Sequence, residues 1–211
     1  DDPVLFVENK LLYLQQVPPL NLDEFEIQED HPGTLNAATR AMEPQKTAQN
    51  NRAATQTSPA TAPNAPAHAL DPQSYPPTYT LRMKDAPPPQ ITLAAYGYMA
   101  SLALQAVQRL AYENEIFVEV VIPTQLSPFE IDPLLASAQS SGRLLVVEEG
   151  GLSLGWGAEI LAQAAEALGP RLQASKRLAA ADLPIPAAVP LEMQTLPGVE
   201  QIIRRVQTMV Y

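Results

Sequence analysis

The stretch from Arg143 to Gly169, RLLVVEEGGLSLGWGAEILAQAAEALG, limits what this chain can fold into more than any other. Leu144 to Val147 form a short apolar run, the pattern of a strand buried on both faces. Glu148 and Glu149 follow, then a glycine-rich loop through Gly150, Gly151, Gly155 and Gly157. A helical stripe of Leu161, Ala164, Ala165 and Leu168 comes next and stops at Gly169-Pro170. Strand, glycine loop and helix in this order make half of a parallel α/β unit. Such a loop can hold a phosphate at a helix N-terminus. Here the G-x-G-x-x-G spacing and the P-loop lysine are missing, and two glutamates stand at the mouth. The glycines therefore read as positions for tight turning and close helix–sheet approach.

The rest of the C-terminal region repeats the same grammar. Tyr79, Leu81 and Met83 alternate with Thr80, Arg82 and Lys84, as in a half-exposed edge strand. ITLAAYG (91–97) and IFVEVVIP (116–123) read as buried strands. Between them Met99, Leu102, Ala103, Ala106, Val107 and Leu110 recur at helical spacing. Ser127-Pro128-Phe129-Glu130 has the form of a capping box with proline at the first helical position. Ile131, Leu134, Leu135 and Ala138 would be that helix's inner face, and Gly142 its stop. A strand around 174–178 follows, then the proline-stiffened loop Asp182-Leu183-Pro184-Ile185-Pro186. A last helix carries the stripe Val199, Ile202, Ile203, Val206, Met209 and Val210. Five strands alternating with four helices predict one α/β domain over 79–211: a three-layer α/β/α stack on a mixed five-stranded sheet, its first strand antiparallel.

Residues 1–78 differ in kind. Within 1–16, VLFVENKLLYL (4–14) is β-type, and because an isolated strand is not stable it must pair with something. The start without Met leads us to expect a cut inside a longer polypeptide. Residues 17–78 read as a linker, acidic at first. Within it, 36–72 is rich in Ala, Thr, Gln, Asn and Pro and is expected to be flexible, because it cannot bury enough surface to offset ordering entropy.

Charge and composition exclude whole classes of function. The formal net charge is -10, which disfavours nucleic acid and anionic membrane as partners. The opening DDPVLFVENK does not read as a signal peptide, and no apolar run suits a bilayer span. There is no cysteine, hence no disulfide and no thiol nucleophile. The expected compartment is the cytoplasm, with an organelle matrix left open. The two histidines, His31 and His68, lie outside the periodic part, so neither a Ser-His-Asp triad nor a His-ligated zinc is expected in the core. No catalytic and no metal-binding residue is assigned.

The ordered motifs of residues 79–211 resemble the transketolase C-terminal domain family. The likeness is greatest to the β subunit of the thiamine-dependent 2-oxo acid dehydrogenase decarboxylating component. The residues that carry it are Tyr96-Gly97 at a strand end, Leu126-Ser127-Pro128, and VVEEG followed by Gly155-Trp156-Gly157-Ala158-Glu159-Ile160. Asp182 with Pro184-Ile185-Pro186, and Pro190-Leu191-Glu192 before Leu196-Pro197, complete the set. VLFVENKLLY resembles the last strand of that subunit's pyrimidine-binding domain. The resemblance implies thiamine diphosphate and magnesium in the complete enzyme, bound outside this chain, which has no Gly-Asp-Gly triplet. It implies three partners: an α subunit or the missing thiamine-binding domains, a second copy of the chain, and the dihydrolipoyl acyltransferase core. The chain departs from the family at Thr124-Gln125, where Arg-Thr is usual. It also departs at Leu172-Gln173-Ala174-Ser175, which lacks the aspartate that helps dock the acyltransferase.

Candidate interface or ligand-crevice residues are Glu148, Glu149, Gly150, Gly155, Trp156, Gly157, Glu159, Asp182 and Tyr211. Glu148 and Glu149 suit either acid–base chemistry at a strand end or, the reading adopted, capping of the loop's amides and contact with a neighbouring subunit. Glu159 reads as a helix-dipole or interface residue. Trp156 is either a core plug or an interface anchor. Alternatives to the dehydrogenase reading are a free-standing module that binds or senses a small ligand, and a part of a transketolase or deoxyxylulose phosphate synthase.

Overall fold

A computed structural model describes residues 22–31 and 76–211 of the chain. The readings of 4–14 as a strand and of 36–72 as flexible fall outside those residues. The strands are β1 (Phe25–Asp30), β2 (Thr78–Met83), β3 (Ile91–Ala95), β4 (Val118–Pro123), β5 (Arg143–Gly151) and β6 (Ala174–Ala180). The helices are α1 (Tyr98–Asn114), α2 (Asp132–Ser141), α3 (Trp156–Leu168), α4 (Val189–Thr195) and α5 (Val199–Val210).

Successive residues of a strand point to opposite faces, and here both faces are covered. Leu93, Val120, Leu145 and Val147 meet α1 and α5 in one apolar cluster, with Val107, Leu110, Ile202 and Val206. Their neighbours Ala94, Val121, Leu144 and Val146 meet α2 and α3 in the other, with Leu134, Ala138, Ile160 and Ala164. Two buried faces explain why β3, apart from Thr92, and residues Leu144 to Val147 of β5 are written as apolar runs. A cluster of hydroxyls is set into this core. Thr92 Oγ1 is hydrogen-bonded to Ser137 Oγ at 2.7 Å and Ser141 Oγ at 2.9 Å, all three residues being buried, so α2 is fixed to β3 by hydroxyls as well as by packing.

The strand order is β1-β2-β4-β3-β5-β6. β3 is parallel to β4 and β5, and β6 to β5, while β1-β2 and β2-β4 are antiparallel. The domain is thus three-layered with antiparallel first strands, as the sequence predicts. Among the described residues the sheet has six strands, not the five expected. β1 arises in the acidic stretch read as linker, and β2 is therefore not an edge. Phe25 is the only large apolar side chain that β1 buries, so its sequence has no alternating signature. It is secured instead by pairing with β2, where Glu26 lies opposite Arg82 and forms an ion pair at 2.7 Å.

The second helix also starts later than its capping-box pattern suggests. Ser127 to Ile131 are non-helical, and α2 begins at Asp132 with Pro133 in its first turn. A helix begun at Pro128 would carry Pro133 in its interior, where the ring clashes with the preceding turn and a backbone hydrogen bond is lost. Two further differences are a short extra helix, α4, and the length of β5. That strand runs on through Gly150 and Gly151, with a register shift against β6 between Val147 and Gly151.

Candidate functional site

β3 leads into α1 on one face of the sheet, whereas its neighbour β5 leads into α3 on the other. The C-terminal ends of β3 and β5 therefore flank the switch point at which open α/β sheets form a ligand crevice. Residues 96–97 and 148–157 stand there.

Glu148 occupies the centre. It is fully buried, and its Oε1 accepts a hydrogen bond from the backbone N–H of Gly157 at 3.1 Å. That N–H is one of the donors a helix leaves unsatisfied at its N-terminus, so the carboxylate caps α3 from a neighbouring strand. The glycines make room for it. A Cβ on Gly155 would lie 2.7 Å from both carboxylate oxygens and 2.5 Å from the Gly151 carbonyl; one on Gly157 would lie 2.7 Å from Oε1 and 2.9 Å from a Val146 methyl. Burial pushes the Glu148 carboxyl up from its ordinary value, opposed by the amides of Gly157 and Trp156 and by the charge of Arg177. Its Oε2 is buried with no hydrogen-bond partner among the described residues.

An aromatic group closes the crevice above the carboxylate. The Trp156 ring meets the Tyr96 ring edge-on at 5.2 Å and the Phe129 ring at 5.4 Å. Trp156 is half-buried against the α2/α3 cluster, and its Nε1 is enclosed without a hydrogen-bond partner among the described residues. Burial, followed by the charges of Glu148 and Glu149, pushes the Tyr96 phenol up and keeps it neutral.

The rim is tied by polar contacts. Asp182 accepts from the Ser153 N–H at 2.9 Å and from its hydroxyl at 2.6 Å, and these bonds hold the Asp182 carboxyl below its ordinary value. Arg177 donates to the Leu152 carbonyl at 2.5 Å. The two rim loops are thereby joined, and they leave Leu152, Leu154, Leu183 and Ile185 exposed.

Of the residues singled out from sequence, Glu148, Gly150, Gly155, Trp156 and Gly157 gather in the crevice, Glu149 borders it, and Asp182 is on its rim. Glu159 does not join them. It lies exposed on α3 and accepts from Gln163 at 2.8 Å, an intrahelical pair. Tyr211 is exposed at the C-terminal end of α5, where its N–H donates to the Gln207 carbonyl at 3.1 Å. Tyr96, Phe129, Ser153 and Arg177 belong to the group but were not named as site residues, since they come from four different segments.

This arrangement does not fit a diphosphate or a metal ion. The N-terminus of α3, which attracts anions, is already occupied by a carboxylate of the chain itself, with Asp182 at the rim. No group of three or more His, Asp or Glu among the described residues is placed to hold a metal. No helix among those residues is long and apolar enough to cross a membrane.

Comparison with known proteins gives a family match. The family described as "Transketolase, C-terminal domain" matches residues 82–202. The chain is 35% identical over 122 residues to "Pyruvate dehydrogenase E1 component subunit beta-1, mitochondrial" of Oryza sativa subsp. japonica, covering 57% of this chain and 32% of that protein. It is 33% identical over 114 residues to "3-methyl-2-oxobutanoate dehydrogenase subunit beta" of Mycobacterium tuberculosis (strain CDC 1551 / Oshkosh), covering 54% and 32%. Among solved structures, a chain of a split-gene transketolase, an inactive β4 tetramer, superposes with a TM-score of 0.49 at 23% identity, covering 57% of this chain and 38% of that one. The chain matches about a third of the length of these curated relatives.

Proposed function

The chain belongs to the transketolase C-terminal domain family, and on that premise we propose that it is the C-terminal part of a 2-oxo acid dehydrogenase β subunit. The observation that carries this is the pair of curated matches above, both to β subunits of dehydrogenases that act on 2-oxo acids. In the whole enzyme the reaction is the oxidative decarboxylation of a 2-oxo acid with thiamine diphosphate and magnesium. This chain's share is assembly. It contacts the α subunit or the thiamine-binding domains, pairs with a second copy of itself, and presents a surface to the dihydrolipoyl acyltransferase core.

Two features of the crevice support a non-catalytic role. Its one fully buried carboxylate is committed to capping α3, which leaves no paired acid and base facing an open space. Its rim instead exposes apolar side chains on two loops held together by Ser153 and Asp182, a surface suited to a subunit contact. The test is size-exclusion chromatography with light scattering. The chain is mixed with the 2-oxo acid dehydrogenase α subunit of the same organism and, separately, with its acyltransferase core. Co-elution with either at micromolar concentrations is expected. Elution apart from both would overturn the assembly role.

A further inference from the structure

β6 closes one side of the sheet. Among the described residues it pairs only with β5, so one row of its backbone N–H and C=O groups has no strand against it. Ala174 and Leu178 pack toward α1 and α5, and Lys176, midway between them, leaves the strand on that same face. α5 runs alongside. Leu178, Gln201, Arg204, Arg205 and Thr208 line an open cleft of about 500 Å³ between strand and helix.

The charge in this cleft runs against that of the chain. The net charge is -10, and two of the other described arginines are matched with carboxylates, Arg82 with Glu26 and Arg109 with Glu113 and Glu200, while Arg143, Arg171 and Arg177 donate to carbonyl or amide oxygens. Glu200 is the only carboxylate on α5, and it is engaged by Arg109. Among the described residues neither Arg204 nor Arg205 forms an ion pair. Arg204 gives only its Nε to the Glu200 carbonyl, at 3.2 Å, and keeps its two terminal amino groups for another partner. Among the described residues, two guanidiniums and the ammonium of exposed Lys176 thus stand without an ion-pair partner beside the open side of β6.

We propose that this edge docks an extended acidic segment of a partner protein. The segment's backbone pairs with the open side of β6, and the carboxylates on one of its faces reach Arg204, Arg205 and Lys176. The cleft is too open to enclose a small anion, which it would touch from one side only. An extended segment draws affinity from main-chain pairing and specificity from the arginine forks. The inference stands apart from the choice of enzyme above.

The test uses the 211-residue chain and a fluorescein-labelled decapeptide of alternating Glu and Thr. Anisotropy should show saturable binding that weakens as salt rises from about 50 to about 300 mM. The double substitution Arg204→Gln, Arg205→Gln should weaken it about tenfold or more, and Lys176→Gln by about threefold. A Gln-Thr decapeptide should not bind. Amide exchange across 174–180 should slow when the acidic peptide is present. Thermal melts should be little changed by the substitutions, since Arg204 and Lys176 are exposed and Arg205 is half-buried; should the double variant misfold, Lys176→Gln and the exchange data still decide. The proposal is overturned by lack of saturable binding, by binding indifferent to these substitutions, by unchanged exchange in β6, or by pyrophosphate binding in the cleft where the peptide does not.

Discussion

Glu148 caps a helix that begins eight residues after it: its Oε1 accepts the Gly157 N–H at 3.1 Å while its Oε2 lies buried without a hydrogen-bond partner among the described residues. The strand end and the helix start are thus joined by one charge-assisted hydrogen bond inside the fold, and the glycine loop between them bends around the carboxylate.

Burial raises the Glu148 carboxyl above its ordinary value, so the folded state holds this proton more tightly than the unfolded chain does. Between the ordinary carboxylate value and the raised one, the folded state binds more protons, and stability falls as pH rises through that window. Glu148→Gln, which keeps the shape and loses the charge, should remove this part of the slope. The stability of the wild-type chain relative to the Gln variant should therefore be greatest at low pH and decline toward neutrality. Denaturant melts of both proteins from about pH 4 to 8 measure the difference. A difference that stays level, or rises with pH, would contradict the raised carboxyl.

Gly157 offers a test in which two effects have opposite signs. In a helix, Gly→Ala is ordinarily stabilising by about 0.5–1 kcal/mol. Here the new methyl would stand 2.7 Å from Glu148 Oε1 and 2.9 Å from Val146 Cγ1, and both neighbours are held by packing. Overpacking should win, and Gly157→Ala should destabilise by about 1–3 kcal/mol in urea melts. A gain in stability would show that the carboxylate is free to move aside.

How far the sequence revealed this arrangement depended on burial. β3, β5 and α5 were legible because their residues are apolar on every face that meets a layer, so run length and spacing report the environment directly. β1 was not, because only Phe25 among its large apolar residues enters the core while backbone pairing and the Glu26–Arg82 contact hold the rest. The α2 start was misplaced because two prolines five positions apart both suit a first turn, and only Pro133 can be kept without breaking the helix. In the crevice, the VVEEG run marked Glu148 as unlike its apolar neighbours. Its aromatic cover was hidden, since Tyr96, Phe129 and Trp156 are brought together only by the crossing of β3, the 124–131 loop and α3. The hydroxyl link from Thr92 to Ser137 and Ser141 was hidden for the same reason, as it spans 45 and 49 positions.

Trp156 is packed edge-on against two rings and a buried cluster, which marks it as a packing residue first. Trp156→Ala should cost about 3 kcal/mol of stability, and Trp156→Phe should recover part of that because one ring contact survives. Thermal melts run beside light scattering separate this from an interface role. A packing residue gives a lower melting temperature at unchanged mass. A change in mass with an unchanged melting temperature would make Trp156 an anchor for a partner.

If Glu148 fills the strand-end crevice from within, the chain has no room there for an anionic cofactor. Calorimetric titration of the 211-residue chain with thiamine diphosphate and magnesium should then give only heats of dilution. Saturable binding at about micromolar concentration, abolished by a substitution at the mouth of α3, would contradict the internal cap and the non-catalytic role drawn from it.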